Sequence, residues 1–438
     1  MWSKVFSPLL ASRLKPAQKF PQLKLRPQQH RIITHQRQSN ISLTSFDPNS
    51  LEYARREITP GSVVEVRNSE QNRLLALGFY EPTLLRVDVF HIYPKTVTDL
   101  PTVSEEFFLE RVREAWERRR RVFSLRSVGD NNTYRVVNGA SDGIPSLYVD
   151  LFSSCFARIV ATSYGAERLV PSVTELLKEH GTEQVLLDTP YLKDHEKLTI
   201  MNPTISLPEV YVENGTRHLW VPPNEYPATR NNRWLLNTAH RRARHVLREV
   251  CGGKQVLCVN DRSGAATLNA VMSAKNVVIN ETDVGLLDRL RENLIANHSS
   301  SVFNTCETSS LEIDELGTHK MDVIYLEHHP EKLSSVKQWQ MTFSSLLQQR
   351  ICGEGSVLFV AQESAPLGIP DLLQQESSER QFIPAKREEL FKALSTTASK
   401  YKLNIRKIRV FGPSIDHPIL PECESFCFSH VFLLQGSS

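Results

Sequence analysis

VLCVNDRSGAAT, residues 256–267, is the stretch that decides the fold of the C-terminal half of this chain. Four apolar residues lead into a short polar segment and then into small residues. This pattern is typical of a buried strand, a loop and the start of a helix. The small residues at 263–266 leave room for a ligand to approach the backbone at the helix N-terminus. Glu281 follows about twenty residues later, at the predicted end of the next strand, where an acid can accept both hydroxyls of a ribose.

The alternation of strand and helix continues outward from this stretch. Strands are predicted at 255–259, 277–280, 322–326 and 356–360, and helices at 264–274, 284–297 and 336–350. Buried apolar strands that alternate with helices predict a parallel sheet covered on both faces. The sheet is completed by a last helix and two strands, at 387–400, 404–410 and 426–434.

Length and composition bound the class of protein. With 438 residues, of which 40% are hydrophobic and 23% charged, the chain has the composition of a globular protein of two or three domains. No uncharged apolar run approaches the roughly 18 to 20 residues of a transmembrane helix, so we expect no membrane partner. Seven cysteines without a C-x-x-C pair argue against a disulfide scaffold and against a structural zinc site.

The first 46 residues differ in charge from the rest. They carry eight basic residues and no acid before Asp47. This composition is typical of a transit peptide, and we expect the mitochondrial matrix rather than the plastid. The alternative is a basic, disordered arm that binds RNA. The remaining 44 basic residues stand against 49 acidic ones, so nucleic-acid binding elsewhere must come from local patches.

Short alternating strands between residues 60 and 91 predict a small barrel or a curled sheet. A helix is predicted at 104–126, and it contains the four successive arginines 118–121. These arginines are typical either of a helix end stabilised by the macrodipole or of a phosphate contact, and the sequence leaves both open. A hairpin over 134–165 and a helix at 166–177 follow.

Four segments, taken in order, resemble the bacterial large-subunit rRNA cytosine-C5 methyltransferase family. They are PGSVVEVRNSEQNRLLALGFYEP (60–82), YRVVNGASDGIPSLYVD (134–150), YVENGTRHLWV (211–221) and IDHPILPE (415–422). The resemblance implies an α/β protein with an N-terminal PUA-like small β-barrel, a central α/β domain and a C-terminal Rossmann-like class I methyltransferase domain. The expected boundaries are 1–46 for the transit-like segment, 47–103, 104–203 and 204–438.

The resemblance also implies the cofactor S-adenosylmethionine (SAM) and the residues that would hold it. These are Ser263, Gly264 and Ala265 in the first loop, Glu281 at the ribose, Glu307 at the adenine amine, and Glu327 after the fourth strand of the family fold. Ala265 stands where the family has a second glycine, which is tolerable only if its φ is negative.

The strongest departures from the family fall at the chemical motifs. Where the family has Asp-Pro-Pro, this chain has Glu327-His328-His329-Pro330. The two histidines point to opposite faces of an extended segment, so we expect no shared metal ion. Where the family has the nucleophilic Cys of Ser-Cys-Ser, this chain has Glu363. Cytosine-C5 methylation needs a thiolate that adds to C6, so the substitution predicts loss of this chemistry. Cys258 and Cys352 are expected to be small buried residues instead.

A basic helix face is the best candidate for RNA binding. Arg241, Arg244 and Arg248 share one face of a helix predicted at 231–250, opposite an apolar stripe, and Arg230 and Arg233 lie just ahead. Residues 230–248 contain no acid, which favours a phosphate contact over an ion-paired face. A solvated amphipathic face is the alternative.

Two functions follow from these observations. The first is a mitochondrial rRNA-binding protein on a methyltransferase fold, which acts in large-subunit assembly or maturation and is inactive in cytosine-C5 methylation. Its partner would be rRNA or the precursor of the mitochondrial large subunit. The alternative is an active SAM-dependent rRNA methyltransferase with another target atom. A dinucleotide-dependent oxidoreductase is disfavoured because the G-x-G-x-x-G loop is missing.

Overall fold

The structure is a computed structural model of the 438-residue chain. It describes residues 20–34, 38–93, 102–121, 132–153, 155–188, 199–201, 210–219, 236–261, 263–281, 284–297, 320–327, 335–363, 387–417 and 427–437. Within these ranges no helix combines the length and the apolar character that a membrane crossing requires.

The N-terminal unit is a curled five-stranded sheet. Its elements are β1 (Gln22–Leu25), α1 (Arg31–Thr34), β2 (Asn40–Ser42), α2 (Pro48–Glu57), β3 (Val63–Asn68), β4 (Leu74–Glu81) and β5 (Arg86–Ile92). The strand order is β1-β3-β4-β5-β2, with β1 parallel to β3. Leu25 in β1 also forms a bridge with Phe46, just beyond β2, so the two edges of the sheet come together.

This sheet corrects the expected boundary at residue 46. Leu23, Leu25 and Ile41 are fully buried in the core of the N-terminal unit. The described residues between Gln22 and Asp47, which are 22–34 and 38–47, therefore belong to a folded unit and do not form part of a tail. The sequence prediction missed β1 and β2 because each has only three or four residues, and their burial depends on strands that follow later in the chain.

The central unit is a second five-stranded sheet with two helices. Its elements are α3 (Glu105–Arg121), β6 (Thr133–Asn138), β7 (Leu147–Phe152), β8 (Phe156–Ala161), α4 (Tyr164–Glu179), β9 (Gln184–Asp188) and β10 (Thr199–Met201). The strand order is β10-β9-β8-β7-β6. One hydrophobic core runs from Phe79 and Phe90 of the first sheet to Phe108 and Val112 of α3, so the two units pack together.

A buried carboxyl group joins these two units. Glu81, the last residue of β4, accepts hydrogen bonds from the backbone N–H groups of Gly165 (2.7 Å) and Tyr164 (3.0 Å) at the start of α4. Burial, with a further contribution from the charge of Asp88, raises the pKa of Glu81 to about 8, because both effects disfavour the ionised form. A Cβ on Gly165 would overlap the ring of Phe79, so the approach of α4 to β4 requires glycine there.

The stability of this junction is expected to fall as the pH rises. The pKa of Glu81 is higher in the folded protein than its ordinary value of 4.5, so its contribution is full below pH 4.5 and is lost as the pH rises through about 8. Between pH 6 and pH 8 the free energy of unfolding should decrease by roughly 2 kcal/mol from this group. Thermal unfolding at both pH values should show that Glu81→Gln removes most of the decrease, whereas the exposed control Glu52→Gln leaves it unchanged. Equal pH dependence in wild type and Glu81→Gln would contradict the prediction.

The C-terminal unit begins with a hairpin and continues as a six-stranded sheet. Its elements are β11 (Val210–Glu213), β12 (Thr216–Leu219), α5 (Arg241–Val250), β13 (Gln255–Val259), α6 (Ala265–Val271), β14 (Asn276–Asn280), α7 (Val284–Ala296), β15 (Val323–Glu327), α8 (Val336–Gln348), β16 (Val357–Glu363), α9 (Arg387–Lys400), β17 (Leu403–Phe411) and β18 (Cys427–Gly436). The strand order of the sheet is β14-β13-β15-β16-β18-β17.

The direction of the strands confirms the predicted parallel sheet and adds one reversal. The first four strands in the order are parallel, and β18 runs antiparallel to both β16 and β17. The predicted strands and helices agree with the observed ones to within a few residues, with one exception. The helix predicted at 231–250 is observed only from Arg241, after a short 3-10 turn at Thr238–His240, and residues 220–235 lie outside the described ranges.

Candidate functional site: a carboxyl-lined edge of the C-terminal sheet

Three carboxyl groups lie at the ends of neighbouring strands. Asp261 follows β13, Glu281 follows β14 and Glu327 ends β15. Because β13 pairs in parallel with both β14 and β15, these ends meet at one edge of the sheet, here called the carboxyl edge. The three residues are buried, with 4%, 5% and 2% of their surface exposed. The hydroxyl of Tyr325 donates a hydrogen bond to Glu327 Oε2 (3.0 Å). The sequence prediction included Glu281 and Glu327 but missed Asp261.

Left-handed backbone shapes the loop between β13 and α6. Asn260 has a φ of 55° and Gly264 a φ of 70°. At Gly264 a Cβ would also lie 2.8 Å from Leu290 Cδ1 of α7, so the position favours glycine for two reasons. Ala265 is the first residue of α6 and does not have a positive φ, so an alanine is tolerated where the family has a second glycine. Ser263 is half-buried beside it.

Asp261 precedes α6 in the sequence, and its carboxyl group lies at the N-terminus of this helix. Its carboxyl oxygens accept hydrogen bonds from the backbone N–H groups of Ala266 (3.2 Å) and Thr267 (2.6 Å). Burial raises the pKa of Asp261, although these donors partly offset the effect. In nucleotide-binding loops such N–H groups receive a phosphate, so their use here disfavours an anionic ligand. The edge suits a ligand with hydroxyl groups and positive charge. SAM has a ribose diol, an ammonium and a sulfonium, and it fits this description better than a dinucleotide does.

A buried ion pair lies close enough to the carboxyl edge to interact with its charges. The guanidinium of Arg244 on α5 donates to both carboxyl oxygens of Glu213 at 2.6 Å and to the backbone oxygen of Asn237 at 2.7 Å. Burial opposes its charge, but Glu213 raises the pKa of Arg244 well above its ordinary value. Arg244 also interacts electrostatically with Asp261 and Glu327. The pair therefore belongs to the electrostatics of the site.

The β11–β12 hairpin covers this part of the sheet. Tyr211 lies in a buried cluster with Ala265 of α6. The backbone N–H of Leu219 donates to Asn293 Oδ1 of α7 (2.6 Å). His218 stacks on Tyr211 with 5.0 Å between the ring centroids, and burial lowers the pKa of His218 to about 4. The hairpin thus contacts both helices that flank the first loop, and its histidine is neutral at physiological pH.

The predicted RNA-binding face of α5 is wrong for Arg241 and Arg244. Arg244 is fully buried against Glu213, and Arg241, only 7% exposed, pairs with Asp416 at 3.1 Å. Neither guanidinium can reach a phosphate in solution. The prediction relied on the absence of acids between residues 230 and 248, but the partner carboxylates come from β11 and from the segment after β17.

Of the other predicted RNA-binding arginines, the structure describes Arg248. Arg248 is half-buried, and its Nη1 lies 3.4 Å from the backbone oxygen of Asn214. Its contact with RNA stays a prediction. Residues named in the sequence analysis that lie outside the described ranges are Arg230, Arg233, Glu307, His328, His329 and Pro330.

The position at which the cytosine-C5 methyltransferases carry their nucleophilic cysteine lies at the carboxyl edge. Glu363 ends β16 there, and the antiparallel register places Cys427 of β18 opposite it. Sequence reasoning did not include Cys427, because its place depends on that register. Cys258 and Cys352 are buried, as predicted, and burial raises both thiol pKa values, that of Cys352 to about 12. Neither of these two cysteines supplies a thiolate at neutral pH.

Two of the segments that carry the family resemblance meet in a buried polar network. Asp416 accepts a hydrogen bond from the backbone N–H of Arg135 (2.8 Å) and pairs with Arg241 (3.1 Å). The side chain of Arg135 binds both carboxyl oxygens of Asp150 at 2.8 Å, and the hydroxyl of Thr238 donates to Asp150 (3.1 Å). These residues join the central and C-terminal units, so they act on the domain junction and not on the cofactor.

The sheet order, with the reversed strand β18, gives a fold that solved SAM-dependent methyltransferases share. A protein of Streptococcus mutans described as a SAM-dependent methyltransferase has a TM-score of 0.70 at 12% identity, covering 94% of this chain and 99% of its own. A methyltransferase structure complexed with S-adenosylhomocysteine has a TM-score of 0.69, with the same identity and coverage. At this identity the likeness is one of fold.

A curated relative adds sequence similarity. A ribosomal RNA large subunit methyltransferase of Deinococcus radiodurans is 36% identical over 108 residues. The match covers 24% of this chain and 25% of that protein, so it spans about a quarter of the relative. No family model matches the chain.

Proposed function

We propose that this protein binds SAM at the carboxyl edge and acts on the RNA of the large ribosomal subunit. The observation that carries the proposal is the buried set Asp261, Glu281 and Glu327 at the edge of a methyltransferase-type sheet. Large-subunit rRNA as the substrate class is supported by the Deinococcus radiodurans relative and by the four segments that resemble the cytosine-C5 family.

Different residues of the carboxyl edge would contact different parts of the cofactor. SAM supplies an electrophilic methyl group when bound. Glu281, at the end of β14, would accept the ribose hydroxyls, and Glu327 would face a positively charged part of the ligand. Asp261 orders the first loop through the N–H groups of α6. The β11–β12 hairpin, which packs on α6 and α7, would limit the access of water to the edge.

Cysteine-dependent cytosine-C5 methylation is excluded from the proposal. That reaction requires a thiolate that adds to C6 of the base. Glu363 ends β16 where the family supplies this thiolate, and a carboxylate is a poor nucleophile toward a pyrimidine ring. We therefore propose a role in assembly or maturation of the large subunit, through rRNA binding. The second candidate is methyl transfer to a base nitrogen or a ribose oxygen, and the retained carboxyl groups of the edge favour it.

The proposed location is the mitochondrial matrix, with the precursor of the mitochondrial large subunit as partner. Because Gln22 already belongs to β1, the transit sequence would lie ahead of it. Residues 1–19 contain four basic residues and no acid, as such a signal requires. The curled N-terminal sheet is proposed to be PUA-like.

Calorimetric titration of SAM into the full-length protein tests the proposal. We expect binding that Glu281→Ala weakens at least tenfold, because a ribose diol left without its acceptor costs on the order of 1–3 kcal/mol. Asp288→Ala, which removes an exposed carboxylate on α7, is the matched control and should bind SAM as wild type does. Absence of binding in the folded wild type would overturn the cofactor assignment.

The same protein, incubated with large-subunit rRNA and labelled SAM, separates the two candidates. Methylated nucleosides identified by mass spectrometry should not include 5-methylcytidine. Another methylated nucleoside would support the second candidate. If 5-methylcytidine does form, the proposal is wrong on this point, and Cys427→Ser then shows whether Cys427 is required.

A further inference from the structure

Two exposed arginines lie against the same buried aromatic ring. The guanidinium of Arg242 on α5 lies 5.7 Å from the ring centroid of Phe411, and that of Arg409 on β17 lies 4.8 Å from it. Both side chains are exposed, and neither is ion-paired with a carboxylate of the described residues. Attraction to the ring face holds each guanidinium in place but does not neutralise its positive charge, so both remain able to contact an anion.

Protection of an edge strand does not explain this pair. β17 is the outermost strand of its sheet, and exposed Arg and Lys side chains on such a strand discourage pairing with other chains. That reason covers Arg409 but not Arg242, which lies on a helix from a different part of the sequence. Arg242 is held in place by its backbone N–H, which donates to Ser414 Oγ (3.2 Å).

The C-terminal end of α3 extends the positive surface. Arg119 donates to the backbone oxygen of Asp416 (2.9 Å), which places the end of α3 beside the turn at Ser414–His417. Arg118 and Arg119 share the single carboxyl group of Asp142. The exposed Arg120 and Arg121 likewise share Glu117, so each group keeps an excess positive charge.

These contacts bring four exposed arginines and the half-buried Arg118, from two units, to the two sides of one turn. We call this surface the basic rim, and its members are Arg118, Arg120, Arg121, Arg242 and Arg409. Ile415, at the tip of the turn, is 59% exposed. β17 runs parallel to β16, because both are antiparallel to β18, so Arg409 and Phe411 lie toward the carboxyl edge. The basic rim therefore lies on the side of the sheet where the cofactor is proposed to bind.

We propose that the basic rim binds the phosphate backbone of the RNA on which the protein acts. This inference rests on the proposed function and adds the surface that the buried Arg241 and Arg244 cannot provide. Guanidinium groups contact phosphates in a bidentate manner, and the positive charge of the rim is complementary to a polyanion. The body of the protein has a small net negative charge outside residues 1–46, so binding must be local.

Fluorescence anisotropy with a labelled transcript of large-subunit rRNA tests the rim without SAM. Arg242→Glu combined with Arg409→Glu should raise the Kd about tenfold or more at moderate salt, and should reduce the slope of log K against log salt by about two. The matched control is Lys400→Glu with Lys402→Glu, which makes the same change of charge at the opposite end of β17, where both side chains are exposed. Circular dichroism verifies that the variants are folded. Arg242→Gln with Arg409→Gln gives a smaller shift in the same direction should the reversal perturb folding.

The outcomes separate this inference from the proposed function. Loss of RNA affinity in the rim variant alone supports the rim, whether or not SAM binds. Equal affinities of the rim variant and the lysine control overturn it, as does wild-type protein that binds no RNA. Absence of SAM binding with intact dependence on the rim would refute the cofactor assignment and leave the rim in place.

Discussion

Arg244→Met is expected to lower the free energy of unfolding by about 3–5 kcal/mol, the cost of leaving a buried charge without its partner. Glu213 and Arg244 are both fully buried, and the guanidinium contacts both carboxyl oxygens at 2.6 Å. After the substitution, the described residues leave Glu213 a longer contact with Arg241, at 3.5 Å. The carboxyl group then loses two short hydrogen bonds while it remains buried, and it must either stay charged with a weaker partner or take up a proton, and both are costly.

Urea unfolding monitored by circular dichroism measures this effect, with Arg242→Met as the matched control. Arg242 lies two residues away on the same helix but is exposed, so its replacement should change stability by less than about 0.5 kcal/mol. The double variant Glu213→Gln with Arg244→Met should recover part of the loss, because it removes the unpaired charge. If Arg244→Met proves as stable as the control, the ion pair does not stabilise the folded protein.

The α/β architecture of the C-terminal unit could be predicted from the sequence because its signals are local. Each strand from β13 to β16 is a short apolar run followed by a helix, and such patterns depend on neighbouring residues only. The place of Glu281 could be predicted for the same reason, since it follows a recognisable strand, whereas Glu327 was predicted from the family resemblance. Asp261 could also have been found, because it shortly precedes a run of small residues at a helix start, where a carboxyl group can accept hydrogen bonds from the free backbone N–H groups.

The roles of the arginines could not be predicted because they depend on distant partners. Arg244 pairs with a carboxylate 31 residues earlier, and Arg241 with one 175 residues later. A sequence without nearby acids therefore gives no sign that the helix face is ion-paired. Helical periodicity also could not tell which face of α5 meets solvent, because both the apolar stripe and the arginine face are buried. The side of α5 that reaches solvent carries Arg242, which the spacing argument did not select.

Asp416→Ala is expected to lower the free energy of unfolding by a comparable amount, about 3–5 kcal/mol. It should also weaken the coupling between the central and C-terminal units. Asp416 is fully buried and accepts hydrogen bonds from the Arg135 backbone and from Arg241. Burial opposes its charge, but Arg241 and His417 hold the pKa of Asp416 well below its usual value of 3.8. A lowered pKa gives a contribution that is full above pH 3.8 and is lost in acid, so at pH 7 the whole effect should be seen.

Differential scanning calorimetry of the full chain at pH 7 is the measurement that checks the Asp416 prediction. In the variant the two units should unfold in transitions that are further apart, because the guanidinium of Arg241 and the N–H of Arg135 lose their shared acceptor. Asp416→Asn should lie between wild type and Asp416→Ala, since an amide oxygen can still accept from Arg135 but carries no charge. Asp288→Ala, which removes an exposed acid, serves as the control. A single transition with the wild-type midpoint in Asp416→Ala would show that the junction is held by apolar packing alone.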